Sequence, residues 1–190
     1  RGVAQPGSAS GLGPEGRRFK SCRPDQFDMN INKVVVIGSG TMGSGIAAHL
    51  CNANIPVILL DLKTEIAEKA KERILKSRPP LLFEQSRINS LKTGNISDDF
   101  ENVSDADWII EAVVERIDIK HEIYDKIFKK RKKDSIVSSN TSTIPLKILS
   151  QKLSITDKKD FFLIVFFNPV ICLGLLEIVI EQTNDKDKIN

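Results

Sequence analysis

Residues 33–46 read K-V-V-V-I-G-S-G-T-M-G-S-G-I and leave few folds open to the chain. The run from Val34 to Ile37 is β-branched with no polar alternation, as expected of a strand buried on both faces. It leads directly into Gly38-x-Gly40-x-x-Gly43 and then into a helix-like stretch. A strand, a glycine turn and a helix in this order make the dinucleotide-binding pattern. Gly38 takes a tight turn that a Cβ would forbid, Gly40 lets the backbone approach a pyrophosphate, and Gly43 lets helix and strand pack closely. The amides at the helix N-terminus then point at the anion, with the helix dipole behind them. A second apolar run, residues 56–60, ends in Asp61. A carboxylate about 20 residues beyond the glycines suits the hydroxyls of an adenosine ribose and repels a 2′-phosphate, which favours NAD over NADP. The competing reading is a glycine-rich βα turn in some other α/β protein.

The whole chain has 190 residues, 41% hydrophobic and 28% charged, which fits a globular domain, or one and a fraction. No apolar run is long enough to span a bilayer, so no membrane partner is expected. A net charge of +3 is too small to argue for nucleic acid. Three cysteines, Cys22, Cys51 and Cys172, form no C-x-x-C pair. They fit a reducing compartment, the cytoplasm, and give no metal signature. Residues 1–28 hold 5 of the 11 glycines and 3 of the 8 prolines and show no apolar period. They read as a disordered tail without the apolar core of a signal peptide. Their sequence resembles a transfer-RNA gene read as protein, and the functional chain is expected to start at Met29, giving a single domain over residues 29–190.

After the first strand–helix–strand unit, residues 64–76 predict a helix with Ile66, Ala70 and Ile74 on one face, stopped by Pro79-Pro80. Residues 77–101 are polar and interrupted, with Gly94-Asn95 as a turn, and predict a surface excursion without core strands. Residues 108–114 are the next apolar run. Residues 118–130 predict a helix with Ile119, Ile123, Tyr124, Ile127 and Phe128 on one face. The basic run at residues 129–133 reads as a nucleic-acid patch or, more simply, as a solvated helix end that complements the dipole. Strands are expected near residues 33–37, 56–60, 108–113, 135–139, 161–167 and 175–180. They predict a Rossmann-like, doubly wound α/β sheet, largely parallel, whose last strands have no helix between them and are free to run antiparallel. Asn140-Thr141-Ser142-Thr143 follows a strand, where an open α/β sheet binds its ligand, or else it caps the next helix.

From residue 33 to residue 181 the chain resembles the NAD-binding domain of the 3-hydroxyacyl-CoA dehydrogenases, especially those of large bacterial multifunctional fatty-acid-oxidation proteins. The resemblance rests on V-I-G-S-G-T-M-G-S-G-I-A, D-A-D-W-I-I-E-A-V-V-E, S-I-V-S-S-N-T-S-T-I-P, F-F-N-P and L-L-E-I-V in that order. It implies oxidation of the C3 hydroxyl of an acyl-CoA in β-oxidation, with hydride passed to NAD. It further implies that Gly38, Gly40, Met42 and Gly43 hold the pyrophosphate and Asp61 the ribose. Val113, Val114, Glu115 and Lys120 would border the nicotinamide half. Ser142 would face both the nicotinamide and the substrate oxygen, Asn168 would help hold the cofactor, and Glu177 would orient the family's catalytic histidine.

The chain departs from that pattern at the histidine. The family writes H-F-F-N-P where this chain has Val165-Phe166-Phe167-Asn168-Pro169. Imidazole removes the hydroxyl proton because its pKa lies near working pH, and valine cannot. Before L-L-E the family carries basic and bulky residues, whereas this chain has Ile171-Cys172-Leu173-Gly174. Of the remaining histidines, His49 falls on the helix after the glycines, and His121, near where the nicotinamide would lie, reads as an exposed helix residue rather than a substitute base. The family also continues into a helical domain that closes the acyl-CoA site and forms much of the dimer interface, and this chain stops before it. The expectation is therefore either a dehydrogenase or a catalytically inactive NAD-binding module. An exposed apolar edge is expected where that helical domain would have packed, and with it poor solubility, a partner chain or a homodimer.

Overall fold

The computed structural model describes residues 31–171 and 176–185. The expectations for residues 1–28, for the start at Met29, and for Cys22 and residues 172–174 lie outside them. Seven strands form one sheet: β1 (Val34–Ile37), β2 (Val57–Asp61), β3 (Leu91–Asn95), β4 (Trp108–Glu111), β5 (Ile136–Ser139), β6 (Phe161–Phe166) and β7 (Leu176–Val179). Their order is β3-β2-β1-β4-β5-β6-β7. All neighbours are parallel except β6 and β7, which are antiparallel. Helices α1 (Thr41–Asn52), α2 (Thr64–Lys76) and α3 (Ile117–Lys130) carry the crossovers, with shorter helical turns between the later strands. This is the expected doubly wound sheet. It reverses direction of growth at β1, and the crevice at that switch lies beyond the carboxyl ends of the strands.

The packing follows from strand period. All four residues of β1 are fully buried. Val34 and Val36 meet α1 and α2 on one face, and Val35 and Ile37 meet Tyr124 and Ile127 of α3 on the other. Tyr124 also packs edge-on against Phe161, with ring centroids 4.9 Å apart.

Four expectations are corrected. The excursion at residues 77–101 contains β3, a seventh strand paired with β2. It is an edge strand with only Leu91 and Gly94 buried, so its apolar signal is weak. Gly94 lies within it, opposite Leu60, rather than in a turn, and only glycine fits there because a Cβ would lie 2.5 Å from the Asp99 carboxylate that accepts the Asn95 amide. On α2 the buried face is Ala67, Ala70 and Ile74, and Ile66 is exposed. His121 is buried, and its Nε2–H donates to the Ile148 carbonyl at 3.1 Å. The basic run keeps the expected helix end, with Lys129 and Lys130 exposed in the last turn of α3, and three of its members also make tertiary ion pairs. Lys130 pairs with Glu101 and Lys132 with Asp107, and Arg131 reaches Asp160 at 2.8 Å and Asp157 at 3.2 Å.

The last strand leaves apolar surface open: Leu176 and Ile178 alternate along β7, Ile180 follows its end, and each is about two-fifths exposed.

Candidate active site

The glycine turn is built by contacts that exclude side chains. Gly38 sits at φ +103°, where a Cβ would lie 2.5 Å from the Ala112 carbonyl oxygen. A Cβ on Gly43 would lie 1.8 Å from the Gly38 carbonyl oxygen, so only glycine lets α1 start this close to β1. Gly40 is exposed, and nothing lies within 4 Å of the place its Cβ would take. It is also the N-cap of α1, without a side-chain cap and with no acidic residue in the first turn. The first-turn amides of a helix have no intrahelical acceptor, so this end is suited to an anion.

Asp61 ends the neighbouring strand and is held against the same turn. The amide and the hydroxyl of Ser39 both donate to its Oδ2, at 2.7 and 2.6 Å, and the Leu62 amide donates to Oδ1 at 2.7 Å. Ser39 is fixed in turn, because its carbonyl accepts from Ser44 Oγ and from Arg73 Nη2. The serine between the glycines therefore orients the carboxylate, a role the motif's spacing does not announce.

Across β1 from Asp61, a cleft of about 660 Å³ opens above β4, β5 and β6. Gly40, Met42, Val113, Val114, Glu115, Ser142 and Asn168 line it, together with Val165. Lys120 does not line it. That lysine is fully buried beneath the cleft wall, 2.8 Å from Glu111 Oε1 and 3.3 Å from Glu115 Oε2. Glu111, also fully buried, accepts the Val113 amide on Oε1 and the hydroxyls of Tyr124 and Ser139 on Oε2. Burial, reinforced by the Glu111 charge, raises the Tyr124 phenol far above its ordinary value, so it acts only as a neutral donor. This network was missed in the sequence. Its signal is a carboxylate inside an apolar run, with a lysine and a tyrosine four apart on one helix face.

Of the run after β5, Asn140 Oδ1 accepts the Phe166 amide. Thr141 Oγ1 accepts the amides of Thr143 and Ile144, closing a turn rather than capping α4 (Leu146–Leu149). Both threonine hydroxyls also donate to Glu115 Oε1, so this loop is tied to the one after β4. Ser142 is left exposed at the cleft.

On the far side of the cleft, the antiparallel register sets Val165 directly opposite Glu177. Side chains of such a pair share one face of the sheet. Glu177 is exposed and faces a valine where the family pattern has a histidine.

These features fit a dinucleotide. The cradle is one that a Cβ would fill, the helix end is uncapped, and a carboxylate stands at the tip of the adjacent strand. Gly38, Gly40, Met42 and Gly43 would hold the pyrophosphate of NAD and Asp61 its ribose. NAD supplies a hydride acceptor when bound.

Comparison with known proteins agrees. The family described as "3-hydroxyacyl-CoA dehydrogenase, NAD binding domain" matches residues 33–190. A fatty acid oxidation complex trifunctional enzyme of Rickettsia felis is 43% identical over 159 residues, which is 80% of this chain and 22% of that protein. A 3-hydroxyacyl-CoA dehydrogenase of Deinococcus radiodurans is 39% identical over 164 residues, 83% of this chain and 47% of that protein. Among solved structures, 3-hydroxybutyryl-CoA dehydrogenase of Escherichia coli superposes with a TM-score of 0.75 at 27% identity, over 85% of this chain and 35% of that one. The chain thus spans less than half the length of each of these relatives. With the sheet order, the glycine turn and the matched span in agreement, the chain belongs to the 3-hydroxyacyl-CoA dehydrogenase family and carries its NAD-binding domain.

Proposed function

We propose that this chain binds NAD as the cofactor half of a 3-hydroxyacyl-CoA dehydrogenase of fatty-acid β-oxidation, and that on its own it oxidises a 3-hydroxyacyl-CoA poorly. The observation that carries this reading is the pairing of Val165 with Glu177 beside an otherwise intact dinucleotide notch. A C3 hydroxyl cannot give up hydride unless its proton also leaves, and no imidazole stands at the position where the family keeps one. General-base catalysis is typically worth about 10²–10⁴ in rate, so the deficit is large. Ser142 would still face the substrate oxygen as a hydrogen-bonding group. The exposed β7 residues support a partner chain or a second copy packing at that edge. No helix among the described residues is long and apolar enough to cross a membrane, and the free buried Cys51 suits a reducing compartment, the cytoplasm.

The test has two parts. Calorimetry with NAD and with NADP should give binding to NAD alone, and no binding at millimolar NAD would refute the cofactor assignment. Oxidation of NADH followed with acetoacetyl-CoA should be slow for the wild-type chain and faster for Val165→His. A wild-type rate equal to that of an intact dehydrogenase would refute the poor-catalyst reading.

A further inference from the structure

The charges around the cleft do not balance. One lysine serves two carboxylates: Lys120 Nζ lies 2.8 Å from Glu111 and 3.3 Å from Glu115. Lys120 and Glu111 are both fully buried, so the nearer contact is also the desolvated one and takes most of the cation's field. Glu111 has an amide and two hydroxyls as further donors, which completes its pairing as a neutral unit. Glu115 is the surplus. Its side chain is 39% exposed and lines the cleft beside Val113 and Ser142. The Thr141 and Thr143 hydroxyls fix its direction without cancelling its charge. The neighbouring Arg116 guanidinium is engaged by Asp118. Among the described residues the cleft wall thus carries about one uncompensated negative charge, held by hydrogen bonds to the loop after β5.

A nicotinamide ring is cationic when oxidised and neutral when reduced. We propose that Glu115 is a specificity determinant for cofactor redox state, favouring the oxidised over the reduced nicotinamide. The inference rests on the NAD-binding reading above and deepens it. A charge pair several Å apart near a protein surface is worth about tenfold or more, and solvent at a partly exposed carboxylate lowers this to roughly fivefold. The ADP-ribose portion is common to both redox forms and contributes nothing to the difference.

The test measures dissociation constants of the full chain for NAD, NADH and ADP-ribose, in the wild type and in Glu115→Gln. Glutamine keeps the size of the side chain and an oxygen for the threonine hydroxyls while removing the charge. The expected result is a roughly fivefold fall in the ratio Kd(NADH)/Kd(NAD), carried by weaker NAD binding, with ADP-ribose unchanged. An unchanged ratio overturns the proposal, whether the variant binds all three as the wild type does or weakens them together. A second measurement needs no variant: the wild-type ratio should fall toward that of Glu115→Gln as NaCl rises from about 0.05 to 0.5 M, because salt screens the exposed charge. A wild-type ratio that ignores salt also overturns it. Binding of ADP-ribose with no redox preference refutes only the role of Glu115, whereas failure of the wild type to bind any of the three ligands refutes the cofactor reading itself.

Discussion

Replacing Lys120 by methionine removes the cation that two carboxylates share, one of them fully out of water. Methionine matches the aliphatic length of lysine, so packing against α3 and β4 is nearly kept and the change is chiefly electrostatic. Glu111 retains the Val113 amide and two hydroxyls, but none of these carries charge. Breaking a buried ion pair from one side costs about 3–5 kcal/mol, because the remaining charge is uncompensated. A domain of this size loses about 2–4 °C in Tm per kcal/mol, so Lys120→Met should melt roughly 6–20 °C below the wild type. The assay is thermal and urea unfolding followed by circular dichroism, with the slope m checked for constancy. Adding Glu111→Gln to Lys120→Met removes the stranded charge and should recover about half or more of the loss, a non-additive result that a packing defect would not give. A single variant within 1 kcal/mol of wild type, or a double variant as unstable as the sum of its parts, would refute the reasoning.

Three further outcomes follow from the same geometry. Gly43→Ala forces a Cβ onto the Gly38 carbonyl, so α1 must lift from β1; it should cost about 1–3 kcal/mol in urea unfolding and abolish NAD binding in calorimetry. Asp61→Asn keeps an oxygen for Ser39 but loses the charge; it should weaken NAD by about tenfold and narrow the gap to NADP by a similar factor in competition binding. Burial raises the Asp107 carboxyl, but bonds from Lys132 and from the amides of Asn32 and Lys33 overcome this and hold it below the ordinary carboxylate range. A depressed carboxyl contributes stability above its unfolded pKa and loses it as pH falls through the folded one, so Asp107→Asn should be less stable at pH 7, with its acid-unfolding curve converging on the wild type once pH falls below the ordinary carboxylate range.

What the sequence made legible was whatever the backbone itself demands. Gly38 and Gly43 are needed because Ala112 and Gly38 carbonyls occupy the space of a Cβ, and that need leaves a fixed spacing in the chain. β1, β4 and β6 are buried on both faces and announce themselves as continuous apolar runs. β3 could not do so, because this edge strand next to β2 buries only Leu91 and Gly94 and reads Leu-Lys-Thr-Gly-Asn. The partners of the basic run, Glu101, Asp107, Asp157 and Asp160, are 25 or more residues away in the chain, so a local reading sees only unpaired charge. The burial of His121 and its bond to the Ile148 carbonyl, 27 residues on, are likewise tertiary. The family pattern set Lys120 beside the cofactor, but its depth below the cleft depends on Glu111, nine residues away on β4, and was not legible.

The placement of the two halves of the site explains how a chain can keep one and lose the other. The groups that would hold NAD stand on β1, β2 and β4 and are locked to one another: Ser39 to Asp61, Glu111 to Val113, Glu115 to Thr141. Removing any of them leaves a partner unsatisfied in a buried or half-buried place, so stability and cofactor binding are coupled there. Position 165 carries no such constraint. It lies one strand from the edge, opposite an exposed glutamate, and a β-branched valine suits a strand at least as well as an imidazole does. On the proposed reading, a valine at the family's histidine position therefore costs the fold little while withholding the base that catalysis would need. NAD affinity and turnover should accordingly separate in this chain, and Val165→His should change the second by orders of magnitude while leaving the first within about twofold.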